Sequence, residues 1–453
     1  MKDYNALRKQ YTDFIYHGWK IDETDTSFTV TYTFEIVGLQ SFHPTFTLPK
    51  PAHQKPYMES RLFKEAVFSL GMVELISYWK ITAAPKVHIA CGSLDETQKA
   101  WWKKLYFHGL GEYFHINHIP LDPDGFMEVI SEGRPQEGTD WLPQVKGNLI
   151  PVGGGKDSFV TLDVLSPYKK DNLAFIINPV ISAVNSAHAA GYEEGKDLLI
   201  ARRTLDQGML ELNRQGYLNG HTPFSAMVAF ATYLTCIVHG RKYITLSNES
   251  SANESTIKGS TVNHQYSKTF EFEQDFHAYC KAYLYDGISY FSLLRPISEL
   301  QITGLFSRLK DYHPVFRSCN VGSKKGVWCG HCAKCLFVCL MLSAYLPQDE
   351  IRAVFGVDML NDETMMDLFE QLTGLVDDKP FECVGTRDEV NVAVCMAISA
   401  MHKQQEQIPY LYRRYMESEY YKAYRNRTVD MQAWNGDNLL PEAYQEILKN
   451  KLR

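Results

Sequence analysis

Residues 153–158 read Gly153-Gly154-Gly155-Lys156-Asp157-Ser158. Consecutive glycines let the backbone take conformations closed to other residues and bring its N–H groups close to a ligand. A short apolar run at 148–152 precedes the turn, and Phe159-Val160-Thr161-Leu162 after it begins a helix. The free amides and positive dipole end of that helix then add to the turn. Lys156 can supply charge, Ser158 a hydroxyl, and Asp157 a carboxylate that binds magnesium or orients the loop. This is chemistry for cradling phosphate. A Walker loop needs four residues between its first glycine and a Gly-Lys-Ser/Thr end, and that arrangement is absent. A dinucleotide turn begun at Gly153 and Gly155 needs glycine where Ser158 stands. The plain alternative is a strand-to-helix turn that holds no ligand.

The second chemical feature is Cys329-Gly330-His331-Cys332-Ala333-Lys334-Cys335, with Cys319 before it. Tight Cys-x-x-Cys steps wrap one side of a tetrahedral ion, and a more distant cysteine closes it. Cys319, Cys329, Cys332 and Cys335 are therefore expected to hold a structural metal, since four thiolates leave no open position. Zinc is favoured over an iron–sulfur cluster. His331 is a reserve ligand, and Cys339 is expected in the core of the following helix. The other five cysteines, Cys91, Cys236, Cys280, Cys383 and Cys395, are scattered. In a reducing compartment this grouping points to metal rather than disulfides.

The glycine turn resembles the PP-loop of the N-type ATP pyrophosphatases, written Ser/Gly-Gly-Gly-x-Asp-Ser. That resemblance implies cleavage of ATP between its α and β phosphates, giving pyrophosphate and an adenylated substrate. A late cysteine cluster after such a turn is similar to the layout of several of these enzymes, 7-cyano-7-deazaguanine synthase among them. A closer likeness runs from about residue 100 to 385. Trp102-Lys103-Lys104-Leu105-Tyr106-Phe107-His108-Gly109-Leu110-Gly111-Glu112 resembles a signature of the UDP-N-acetylmuramoyl-L-alanyl-L-glutamate epimerase family. So do Leu210-Glu211-Leu212-Asn213, Leu218-Asn219-Gly220-His221-Thr222-Pro223 and Val262-Asn263-His264-Gln265-Tyr266-Ser267-Lys268. Further matches are Tyr312-His313-Pro314-Val315-Phe316-Arg317-Ser318-Cys319 and Phe381-Glu382-Cys383-Val384-Gly385.

The resemblance implies an ATP-dependent inversion of the terminal L-Glu of a UDP-muramoyl dipeptide to D-Glu, releasing AMP and pyrophosphate during peptidoglycan precursor synthesis. It implies ATP, Mg2+ and structural Zn2+, and a place downstream of a ligase that adds L-glutamate to the muramoyl peptide. A carboxylate makes its neighbouring Cα–H a very poor acid, and converting it to an acyl-adenylate removes that charge. The acid/base candidates are His264, His221, Lys268 and Tyr266; His264 suits the role because an imidazole titrates near operating pH. Each could instead clamp substrate or simply pack. Arg202, Arg203 and Arg317 could hold phosphates or carboxylates through bidentate contacts, or form surface salt bridges. Asn178 and the pair Asn248 and Glu249 end two later strands, where they could contact adenosine or magnesium or serve as ordinary turn formers.

The surrounding sequence supplies elements to position these groups. Up to residue 146 it reads as a mixed α+β region, with Phe28-Thr29-Val30-Thr31-Tyr32-Thr33-Phe34 alternating as a strand. Helical patterns follow at 59–79 and 95–106, and 120–143 reads as a loop. Residues 147–346 repeat strand then helix: short apolar runs at 148–152, 173–177, 197–202 and 243–246, with helical patterns at 222–239 and 267–284. That rhythm predicts a parallel, doubly wound α/β sheet of the PP-loop type, with ligands outside the carboxyl ends of the strands. Residues 347–453 read as mainly helical.

A net charge of −7 excludes a non-specific nucleic-acid binder. The apolar runs at 224–238 and 335–346 are shorter than the ~20 residues of a spanning helix. The first residues lack a signal-peptide core, so the chain is expected in the cytoplasm. Two other readings remain: a PP-loop ligase that amidates or thiolates its substrate, and a nucleotide-binding zinc scaffold without catalysis.

Overall fold

A computed structural model describes residues 2–51, 56–250, 266–319, 321–377, 380 and 384–453. The chain forms two compact units, Met1–Leu149 with Leu199–Ile244 and Val262–Tyr290, and Ile150–Leu198 with Thr245–Thr261 and Phe291–Arg453. Among the described residues the strands are β1 (Asp13–Glu23), β2 (Ser27–Ile36), β3 (Gln40–Phe42), β4 (Thr45–Pro49), β5 (Lys86–Ile89) and β6 (Glu128–Ser131). They continue with β7 (Asn148–Pro151), β8 (Asn172–Ile177), β9 (Leu198–Thr204), β10 (Tyr243–Leu246) and β11 (Ser289–Ser292).

In the first unit β2 alternates as its sequence predicts: Phe28, Val30, Tyr32, Phe34 and Ile36 are buried and the residues between them are not. β1 and β4 flank β2 in antiparallel register, and β3 pairs with it as well. β5 runs parallel to β1 and β6 parallel to β5. The buried face of β2 packs under the helix Arg61–Trp79, whose N-terminus is capped by the Ser60 hydroxyl accepting from Phe63 N–H. Each fully buried Phe or Leu there contributes roughly 1.5–3 kcal/mol. The helix Phe224–His239 packs on Arg61–Trp79 and stops at Gly240, whose φ of +64° is the left-handed stop that glycine permits. Trp102 stacks on Phe230, tying the helix Glu96–Gly109 to Phe224–His239.

β6 corrects the expectation of a plain loop at 120–143. Only four residues long and set among Pro and Gly, it carries too little alternation to stand out.

In the second unit the chain runs from the end of β7 through the glycine turn into the helix Lys156–Val164, then β8 and the helix Ile181–Ala189. Val152 N–H donates to Phe175 C=O (2.9 Å), setting β7 beside β8. The expected parallel pairing is seen between β7 and β10, in the register Tyr243↔Asn148 and Ile244↔Leu149, four residues that belong to the first unit. The helix Glu299–Ser307 packs on Lys156–Val164. Among the described residues the remainder of the unit is mainly helical, with Ala333–Ser343 packed against Arg387–Gln404. A mixed α/β chain with a helical C-terminal part is thus what the sequence predicts.

Candidate active site and metal centre

The glycine turn is built by close approach. Gly154 has φ +88°, and a Cβ there would lie 2.8 Å from the Ser182 and Ala183 backbone. A Cβ on Gly155 would lie 2.7 Å from Ser318 Oγ. Ser158 Oγ accepts from Gly153 N–H (3.0 Å), folding the turn back onto its own helix. That helix starts at Lys156 with Gly155 as its N-cap and no side-chain cap. Its first amides are thus arranged as in a phosphate-binding helix terminus.

Beneath the turn lies an ion cluster. The Lys156 ammonium is 2.6 Å from Glu299 Oε1 and also contacts Asp157 Oδ1. Lys156 and Glu299 are both buried. Burial alone pulls the Lys156 ammonium down, but the two facing carboxylates outweigh it and hold it well protonated. Burial pushes Glu299 up against the pull of Lys156, with Asp157 and Glu249 adding to the rise. Glu389 is likewise raised by burial and by Glu299; its carboxylate accepts from Leu300 N–H and Thr386 Oγ1. Two carboxyls, Asp157 and Glu299, thus face Lys156, and Lys334 adds a second positive charge acting on Glu299.

Asn178 follows the end of β8 with φ +55°, a left-handed position that Asn tolerates better than most residues. Asn248 follows β10 and donates to Ser292 Oγ (3.3 Å). The fully buried Arg295 donates from Nη1 to Glu249 C=O (2.7 Å), bracing this corner. The turn, Asn178, Asn248 and Glu249 all lie in the second unit, each following a strand end.

Cys319, Cys329, Cys332 and Cys335 converge, their sulfurs all within 4.8 Å of one another. Three separations are 4.0 Å (Cys319–Cys332), 3.7 Å (Cys329–Cys335) and 3.5 Å (Cys332–Cys335). A tetrahedral zinc with Zn–S of about 2.3 Å requires sulfur edges of about 3.8 Å, whereas a disulfide would need about 2.05 Å. Gly322 and Cys329 N–H donate to Cys319 Sγ, and Cys335 N–H to Cys332 Sγ, as suits thiolates. Gly330, φ +75°, makes the knuckle turn. The four residues fit zinc. His331 lies outside the cluster, exposed, with Nδ1 2.8 Å from Cys329 C=O, and Cys339 is buried on the helix Ala333–Ser343.

Arg317 joins centre and turn. Its N–H donates to Gly154 C=O (2.8 Å), and its guanidinium donates to Gly326 C=O and Phe316 C=O.

The remaining candidates lie in the first unit. Arg203 donates from Nε and Nη2 to both oxygens of Glu74 and to Ser77 Oγ, so its guanidinium is committed to an internal, largely buried pair. Arg202, next to it on β9, is exposed. His221 is exposed and follows Gly220, whose C=O accepts from Lys80 Nζ (2.6 Å). Tyr266 is buried and donates to Asp275 Oδ2 (3.0 Å); burial lifts its phenol well above the usual range, so it stays protonated. Lys268 is partly buried beside it, and His264 lies outside the described residues.

A family model described as the MurL N-terminal domain matches residues 5–293, and one described as the MurL C-terminal domain matches 315–426. The chain belongs to the MurL family. Three relatives carry the name UDP-N-acetyl-alpha-D-muramoyl-L-alanyl-L-glutamate epimerase. The one from Micromonospora sp. is 34% identical over 371 residues, covering 79% of this chain and 80% of the relative. The one from Salinispora tropica is 36% identical, covering 79% of each, and that from Xanthomonas oryzae pv. oryzae 33%, covering 74% and 75%. No solved structure matches significantly.

The geometry adds residues that the sequence reading missed: Glu299, Glu389, Arg295 and Ser318. Glu299 opens a helix capped by Ser298 and Gln301, which by itself explains an acid in a first turn. Ser318 carried one signal, its place beside a metal-binding cysteine. Glu389 and Arg295 carried none.

Proposed function

We propose that this chain inverts the terminal L-Glu of UDP-N-acetylmuramoyl-L-Ala-L-Glu to D-Glu at the expense of ATP. Membership of the MurL family, over most of the chain, carries the reading. The phosphate-cradling geometry of the turn supports the ATP part of it.

The glutamate carboxylate attacks the α-phosphorus of ATP and pyrophosphate leaves. The acyl-adenylate formed has lost the carboxylate charge, so a base can remove the Cα proton to give an enolate. A proton returns on the opposite face, and water at the acyl carbon releases AMP. The turn amides and Lys156 hold the phosphates, and Asp157, with Glu249 nearby, holds Mg2+. Asn178 and Asn248 contact the nucleotide. Arg202 and Arg317 are candidates for the substrate's charged groups. His264 is the favoured base, with Tyr266, His221 and Lys268 as the other acid/base candidates. The segment 147–346 takes the PP-loop fold type, flanked by regions 1–146 and 347–453, and Zn2+ sits in the four-cysteine centre.

No helix among the described residues is long and apolar enough to cross a membrane. A nucleotide-linked substrate places the reaction in the cytoplasm, after the ligase that adds L-glutamate.

The test is pyrophosphate release from ATP with the L-Ala-L-Glu precursor, followed by chiral analysis of the hydrolysed glutamate. Pyrophosphate with D-glutamate, and solvent deuterium at its α position, is the expected result. Pyrophosphate without inversion overturns the epimerase in favour of a ligase.

A further inference from the structure

We propose that the four-cysteine centre and the glycine turn bind their ligands cooperatively, with Ser318 and the Arg317 amide as the positioning elements that join them. The proposal rests on the reading of the turn as the nucleotide site.

Three contacts carry it. The Arg317 amide, two residues before Cys319, donates to Gly154 C=O at 2.8 Å. Ser318, adjacent to Cys319, closes on Gly155 so tightly that a Cβ there would meet its Oγ at 2.7 Å. Within the loop that Cys319 and Cys329 close, Gly326 has φ +68°, and a Cβ on it would lie 3.0 Å from Ile181 Cγ2. Ile181 opens the helix whose next two residues, Ser182 and Ala183, press on Gly154 from the other side. Arg317 Nε donates to Gly326 C=O (3.0 Å) and fastens the two ends of this brace together.

The loop thus supports the turn directly through 317–318 and indirectly through the helix after β8. With its cysteines fixed by metal the loop has one arrangement, and the turn's amides stay aimed. Without metal the loop gains freedom that nucleotide binding must again remove, so affinity falls. Linkage makes the effect reciprocal: whatever factor the metal adds to nucleotide affinity, the nucleotide adds to metal affinity.

The experiment uses the zinc-loaded full-length protein and an ATP analogue with a methylene between its α and β phosphates. Zinc transfer to a chromophoric chelator is followed with and without saturating analogue, and analogue binding is measured by calorimetry. At equilibrium the chelator concentration that removes half of the zinc should rise at least about fivefold in the analogue's presence. Gly155→Ala should weaken analogue binding and reduce that protection. Gly155→Ala with Ser318→Ala should recover both in part, since the nearest remaining Ser318 atom lies 3.8 Å from the new methyl. Tight analogue binding with that chelator concentration unchanged overturns the coupling. Failure of the analogue to bind zinc-loaded protein overturns the nucleotide reading itself, and this inference with it.

Discussion

The Lys156 ammonium sits 2.6 Å from the Glu299 carboxylate, and both side chains are only 4% exposed. A cation at the tip of a phosphate-binding turn is usually thought of as reaching outward. Here it is anchored inward, to a helix that the sequence places far downstream.

Breaking that pair leaves the Glu299 carboxyl buried without its cation. Lys156→Met is expected to destabilise the protein by about 3–5 kcal/mol at neutral pH. Adding Glu299→Leu to Lys156→Met should restore most of the loss, because two apolar side chains replace the pair. Urea unfolding of wild type and the two variants checks this; equal stability for both variants would show that Glu299 left without Lys156 carries no penalty.

The same carboxyl gives a pH dependence. Burial raises Glu299 from 4.5 to about 7 in the folded protein. A raised carboxyl binds its proton more tightly when folded, so its contribution is fully present below about pH 4.5 and is lost as pH rises through about 7. Glu299→Gln removes the titration. Thermal midpoints of wild type and Glu299→Gln between pH 4.5 and 8 should therefore diverge, with the wild-type curve falling more steeply.

Asp157 tests the turn as a catalytic element. Asp157→Ala is expected to lower pyrophosphate release at least about a hundredfold, as for loss of one group that stabilises developing charge. Unchanged release would remove the turn from the chemistry.

The cysteine centre predicts about one zinc per chain by elemental analysis. Cys335→Ser should lose the metal and lower the thermal midpoint. Cys339→Ala, one helical turn later and buried away from the cluster, should keep it.

Arg203 separates a folding role from a binding one. Arg203→Ala leaves Glu74 buried and unpaired, with a cost of about 3–5 kcal/mol. Arg203→Ala with Glu74→Met should recover most of this stability, measured by chemical unfolding. Arg202→Ala, at an exposed position, should cost less than about 0.5 kcal/mol.

The turn and the cysteine knuckle were legible because consecutive residues carry their chemistry. The strand pattern of β2 and the strand and helix on either side of the turn were legible for the same reason, their patterns being local. Glu299 and Glu389 were not, since what gives each its meaning is a partner remote in sequence. Glu74 did carry a readable sign: an acid amid the apolar helix Arg61–Trp79 demands a cationic partner. Arg203, which the sequence offered only as a ligand-holding or surface residue, is that partner. β6 shows the opposite limit, a strand defined by its neighbour β5 rather than by its own four residues.

Neither compact unit is a single stretch of chain, and each takes three separate segments. The MurL N-terminal match ends at residue 293, before Glu299, Ser318 and every cysteine of the metal centre. A ribosome therefore emits the glycine turn long before the residues that complete its surroundings exist. A gene split between the two family domains would yield a first product whose Lys156 is made without Glu299, the buried one of its two carboxyl partners. The two family domains are separate as sequence matches, yet the surroundings of the glycine turn draw on residues that lie beyond the first of them.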